Sequence, residues 1–234
     1  MALPEIKLPK YTTNLPSNDK EISYRPFTVR EEKVLLIAIE EGNPKQISDV
    51  VRDVIAACTF GEMDAKKSPK IDVEYLFVKI RNKSMGEGVD AVSKCIHCGH
   101  ENYMSLNFDD IKVKYPEKEL SDTIKVSETI WVKMRQPNID SVYAFASASD
   151  FDAISLSLAE CIVKIIDGDT TVDISNYSKQ DLADWLENVP DEVYAEITEF
   201  IKNSPSIYFE QTFSCVACGG ENRIYMEDLE SFFG

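Results

Sequence analysis

Two C-x-x-C-G segments, Cys95-Ile96-His97-Cys98-Gly99 and Cys215-Val216-Ala217-Cys218-Gly219, constrain this chain more than anything else in it. A turn of this kind lets two thiolates converge on one metal, and its glycine permits the tight backbone path after the second cysteine. One knuckle supplies two ligands, whereas structural zinc takes four in a tetrahedron. The two together therefore predict a single metal site, Cys95, Cys98, Cys215 and Cys218, holding one structural Zn2+ per chain. The 116 residues between Cys98 and Cys215 become a long insertion within one ribbon. Four thiolates leave no open position for water, so the expected role is to clamp the two halves of the chain, without catalysis.

Other uses of the cysteines fit the pattern less well. A thioredoxin-like redox pair opens a helix after a buried strand. Here each pair is followed by G-x-E-N and alternating residues. A disulfide framework does not suit the cytosolic setting expected for this chain. A separate local site could use His97 or His100 with Cys95 and Cys98. The second knuckle carries Ala217 and Gly220 at those positions, which makes that option lopsided. Cys58 and Cys161 each lie in an apolar stretch and read as core residues.

The sequence around the knuckles repeats. S-K-C-I-H-C-G-H-E-N at 93–102 matches F-S-C-V-A-C-G-G-E-N at 213–222, with Glu101/Glu221 and Asn102/Asn222 in register. Without a gap upstream, Val73 meets Val193, Phe77 meets Ile197 and Ile80 meets Phe200. More loosely, I-A-A-C-T-F-G at 55–61 matches I-V-K-I-I-D-G at 162–168, and Pro26 matches Pro137. Internal similarity of this kind points to duplication. Each copy reads as a hairpin, helices and a knuckle hairpin. In the first, strands at 11–15 and 21–25 precede helices at 29–41, 44–60 and 71–83. In the second, strands at 123–126 and 130–134 precede helices at 138–148, 151–166 and 190–203, the last with Pro190 at its first position. An extra helix is expected at 178–188. The fold class is α+β, with two pseudo-symmetric repeats, 1–117 and 118–234, joined through a four-cysteine zinc ribbon into one compact unit.

Charge and motifs narrow the function. The formal net charge is -16, spread along the chain, which disfavours binding to a phosphate backbone. No apolar run approaches the roughly 18–20 residues of a membrane span, so membrane association is not expected. M-A-L-P-E-I-K-L-P-K has no apolar core of a signal peptide, which places the chain in a cytosol. Its two histidines both flank the first knuckle, and phosphate-binding glycine loops are missing from the sequence. An enzyme, and a small-molecule substrate, are not expected. Acidic pairs such as Glu40/Glu41 and Asp109/Asp110 read as solvated surface. Trp131 on a strand and Trp185 on a helix read as core or interface. Phe232 and Phe233 either dock on the core or anchor a partner.

M-A-L-P at the start, I-S-Y-R-P-F-T-V-R-E-E-K-V-L-L at 22–36, D-V-E-Y-L-F-V-K-I-R-N-K-S at 72–84 and C-I-H-C-G-H at 95–100 together resemble one family. It is the T-even-type bacteriophage baseplate hub assembly protein family. The resemblance is clearest over residues 1–115. It implies a late phage protein made in the host cytoplasm, needed to build the central hub of the tail baseplate through contacts with other hub proteins. Whether such a protein stays in the virion as a hub component or leaves as an assembly chaperone is left open by the resemblance. The competing class is a cellular zinc-ribbon adaptor in transcription or RNA processing. Such ribbons offer a basic or aromatic strand face to nucleic acid. Here the knuckle strands offer few cations, chiefly Lys94 and Arg223.

Overall fold

A Pro-Ser-Asn-Asp turn closes the first hairpin, in which β1 (Tyr11–Asn14) pairs antiparallel with β2 (Glu21–Tyr24). The structure, a computed structural model, describes residues 6–86, 88–117, 120–142 and 151–227. Helix α1 (Val29–Glu41) stops at Gly42, whose N–H bonds back to Ile39 O. Helix α2 (Pro44–Cys58) starts at Asn43, whose side chain accepts the N–H groups of Lys45 and Gln46. Helix α3 (Lys70–Met85) is buried on most of its circumference, which marks it as a core helix. Even its Asp72 is buried, held by the Ser17 N–H at 2.9 Å and Oγ at 2.5 Å. Near its end Asn82 and Lys83 reach Asp109, so that carboxylate anchors α3 and is not merely solvated surface.

The period then changes to two. Strands β3 (Gly88–Lys94) and β4 (Glu101–Asn107) pair antiparallel in full register and carry the first knuckle between them. A short β5 (Lys112–Lys114) follows. The second hairpin is β6 (Thr123–Lys125) with β7 (Ile130–Met134). Of the helix expected at 138–148, residues 139–142 are helical and the remainder lies outside the described residues. Phe232 and Phe233 lie outside them too.

The helix expected over 151–166 is shorter. Helix α4 (Phe151–Ala159) ends early, and the chain becomes β8 (Ile162–Asp167), turning into β9 (Thr170–Val172). The β-branched run Ile162, Val163, Ile165, Ile166 suits a pleated surface better than a helix. Pairing of β8 to β7 and β9 completes a four-stranded antiparallel sheet of order β6-β7-β8-β9. Consequently 162–168, strand β8 with Gly168 after it, is no structural match for 55–61, which is the end of α2 and the turn after it. Helix α5 (Lys179–Leu186) is the extra helix, capped by Ser178. Helix α6 (Asp191–Lys202) begins one residue after Pro190, which serves as its N-cap and not its first residue. Finally β10 (Ser206–Ser214) and β11 (Glu221–Met226) carry the second knuckle.

The chain folds into two compact units, and their border differs from the expected one between 117 and 118. One unit comprises Met1–Ala65, Ile71–Lys114 and Ser206–Gly234, so it contains both knuckles. The reason is non-local pairing. β10 bonds to β5 as well as β11, Ile207 lying opposite Val113, which draws the C-terminal hairpin into the fold of the first half. Part of the core of this unit is Ile71, Val78, Leu106, Phe108, Ile207 and Phe209. The other unit, Lys66–Lys70 with Tyr115–Pro205, has its own core, including Ile124, Val132, Leu158, Leu186, Ile197 and Phe200.

Cys58 and Cys161 are fully buried, as their surroundings implied. They also occupy matching places, one in each unit. The N–H of Arg25, just after β2, donates to Cys58 O at 3.0 Å. The N–H of Arg135, just after β7, donates to Cys161 O at 2.8 Å. Each arginine then turns Nη1 onto the carbonyl of its own next residue, Pro26 at 2.9 Å and Gln136 at 3.2 Å.

Candidate metal centre

Each knuckle is a turn held by its own backbone. Cys95 N–H donates to His100 O and Gly99 N–H to Cys95 O, at 2.8 and 2.9 Å. Cys215 N–H donates to Gly220 O and Gly219 N–H to Cys215 O, at 2.9 and 2.8 Å. Gly99 and Gly219 sit at φ 73° and 71°, a left-handed conformation that explains why both turns end on glycine.

These turns bring Cys95, Cys98, Cys215 and Cys218 together, with all four sulfurs within 4.8 Å of one another. Cys95 Sγ lies 3.7 Å from Cys218 Sγ, and Cys98 Sγ lies 3.7 Å from Cys215 Sγ. That spacing is far too long for a disulfide bond of about 2.05 Å. It fits the edge of a sulfur tetrahedron around zinc, about 3.8 Å for Zn–S bonds of ~2.3 Å. The donor set is compatible with a closed metal site, and soft thiolates suit zinc well.

The reciprocal supports around the cluster were only partly visible in the sequence. Asn102 and Asn222 stand at the same offset in both knuckles, and each bonds across to the other one. The Asn222 carbonyl accepts Ile96 N–H at 2.9 Å, and the Asn102 carbonyl accepts Val216 N–H at 3.0 Å. Their amide groups return to their own turns, on Gly220 O at 2.8 Å and His100 O at 3.0 Å. Both asparagines are buried. Replacing Asn222 with Ala strands Ile96 N–H and takes one of two donors from Gly220 O, which keeps Cys215 N–H, and is expected to cost about 1–3 kcal/mol in urea unfolding. Asn102→Ala is expected to cost a similar amount.

Donors also gather on the sulfurs. Burial raises the Cys95 thiol, but the N–H groups of His97 and Cys98 and the Asn222 amide outweigh it and bring it down to about 6. Cys215 is lowered in the same way, against its burial, by the N–H groups of Cys218 and Ala217. The His100 N–H favours the Cys98 thiolate, yet the neighbouring sulfur of Cys218 and burial push Cys98 up to about 12. Sulfurs this close cannot all carry negative charge cheaply, which a divalent cation would relieve.

Neither histidine joins the cluster. His97 Nε2 donates to Glu221 O at 3.0 Å, reaching the opposite knuckle. A Cβ at Gly220 would collide with that ring, so glycine there admits the histidine. Lys94 and Arg223, the cations beside the knuckles, pair with Glu101 at 3.7 Å and Glu210 at 2.6 Å.

The site and fold define an α+β protein whose knuckle-bearing unit closes on a four-cysteine cluster. Among the described residues no helix is long and apolar enough to cross a membrane. The family model described as T4 bacteriophage base plate protein matches residues 8–234, nearly the whole chain, and the chain belongs to that family. No curated protein and no solved structure matches it.

Proposed function

We propose that this baseplate protein acts in assembly of the central hub of the phage tail baseplate, through protein contacts and without catalysis. The observation that carries this reading is the family match over residues 8–234. The partners are other hub proteins, met in the cytoplasm of the infected host. One structural zinc, held by Cys95, Cys98, Cys215 and Cys218, fixes the knuckles as a ribbon. The 3.7 Å sulfur spacing and the reciprocal asparagines support that assignment.

An internal duplication is part of the same reading. Its support is the exchanged Asn102 and Asn222 bonds and the matching Arg25–Cys58 and Arg135–Cys161 contacts. The zinc-ribbon adaptor reading draws no support from the cations beside the knuckles, since both are paired with carboxylates.

The test is a phage with a stop codon early in this gene. Infected cells are expected to accumulate tail precursors without a completed hub, and complementation with the intact chain restores plaques. Tracing the chain by mass spectrometry in hub intermediates and in virions then separates a retained component from a departing chaperone. Normal hubs in its absence would refute the proposal.

A further inference from the structure

The unit formed by 66–70 and 115–205 carries a groove of about 370 Å³ between α5 and the β8–β9 hairpin. Ile165 and Leu182 line it with apolar surface. Tyr177, half exposed, and Trp185 add two aromatic rings, and Asp181 and Asp184 add two carboxylates. Asp181 lies one turn before Trp185 on α5 and three residues before Asp184, and all three line the groove. In the order of elements, β8, β9 and α5 stand between α4 and α6, where the first half passes from α2 to α3 by a loop. The groove therefore lies on elements of the second half that have no counterpart between α2 and α3.

Its chemistry is that of a receptor for a cation. Asp181 receives the Ser178 N–H and hydroxyl on Oδ2 alone, and Asp184 receives Gln180 on Oδ1. Among the described residues, no hydrogen bond falls on the second oxygen of either. From 167 to 192 the chain has eight acidic residues and one lysine, Lys179, which is paired with Glu160. Trp131 offers a contrast, because Lys125 already sits 5.7 Å from its ring centroid. Among the described residues, no cation of the chain covers Trp185 or Tyr177.

We infer that this groove docks an arginine-bearing apolar segment of a partner protein, the guanidinium meeting Trp185, Tyr177, Asp181 and Asp184. A planar guanidinium can stack on an indole and bond carboxylates at once, which an ammonium does less well. A phosphate backbone is repelled by the same acids. The inference builds on the reading of the chain as an assembly protein, but its test uses the isolated chain. Failure here leaves the stop-codon experiment to decide that reading separately.

The full zinc-loaded chain, labelled with 15N, is titrated with acetyl-Leu-Arg-Leu-amide while both indole N–H signals are followed. The Trp185 signal is expected to shift saturably and the Trp131 signal to stay. The peptide with Gln in place of Arg should bind about tenfold more weakly. Asp184→Asn keeps the acceptor for Gln180 and is expected to weaken the arginine peptide about fivefold, with raised salt acting in the same direction. Absence of a saturable shift, equal binding of the Gln peptide, or unchanged affinity in Asp184→Asn overturns the proposal. So would concentration-dependent shifts of Trp185 without peptide, since they would put a second copy of this chain in the groove.

Discussion

Removing the proposed zinc, or replacing Cys215 with Ser, is expected to unfold the knuckle-bearing unit at temperatures where the zinc-loaded protein is stable. Zinc bound by four thiolates contributes on the order of 10 kcal/mol where the site is absent from the unfolded chain. A domain's whole stability is about 5–15 kcal/mol, so losing that contribution is decisive. The proposed zinc would join Cys95 and Cys98 to Cys215 and Cys218 across 116 intervening residues, and clips that close long loops restrict the unfolded state most. Hydrogen exchange should show lost protection in β3, β4, β10 and β11. The core of Ile124, Val132 and Leu158 belongs to the other unit, so its exchange reports whether the loss stays local. Cys58→Ala is the control: burial pushes that thiol up to about 12, so it is a packing group and should not change metal content. If chelation, verified by elemental analysis, left melting and exchange unchanged, the clamp would be refuted.

How much of this was legible in the sequence depends on how local each signal is. The knuckles were, because ligand spacing and the glycine after it are properties of five consecutive residues. Hairpins and most helices were, because alternation and caps such as Asn43 and Ser178 act within a few residues. The strand at 162–167 was hidden, since Ile-Val-Lys-Ile-Ile fits an apolar helix or strand until β7 supplies the partner. The unit border was hidden for a related reason. The contact of Ile207 with Val113 joins segments far apart in the chain, and no local residue announces it. Asn102 and Asn222 fall between these cases. Their matching offset could be read, but their exchange across the knuckles exists only once the two turns meet.

That non-local pairing sets the second large effect. Phe209→Ala is expected to destabilise the knuckle-bearing unit by about 3–5 kcal/mol, as removal of a buried phenylalanine generally does. Phe209 is 2% exposed and meets Phe108 edge-on, with ring centroids 5.1 Å apart. It lies on β10 between the pairing with β5 and the run to the second knuckle, opposite Met226 of β11. The substitution removes a core ring and leaves a cavity beside Ile207 and Phe108, yet keeps all four cysteines. The distinction from a ligand change is therefore measurable. Phe209→Ala should still bind one zinc at saturation, with a lower urea midpoint, whereas Cys215→Ser should lose the metal itself. Phe108→Ala should cost at least as much, because the Arg81 guanidinium 5.3 Å from that ring centroid loses its partner as well. The double variant should fall short of the sum, since both rings line the same space. A loss below about 1 kcal/mol in Phe209→Ala would mean that β10 is not anchored through this core. The second knuckle would then depend on the proposed zinc and on β11 alone.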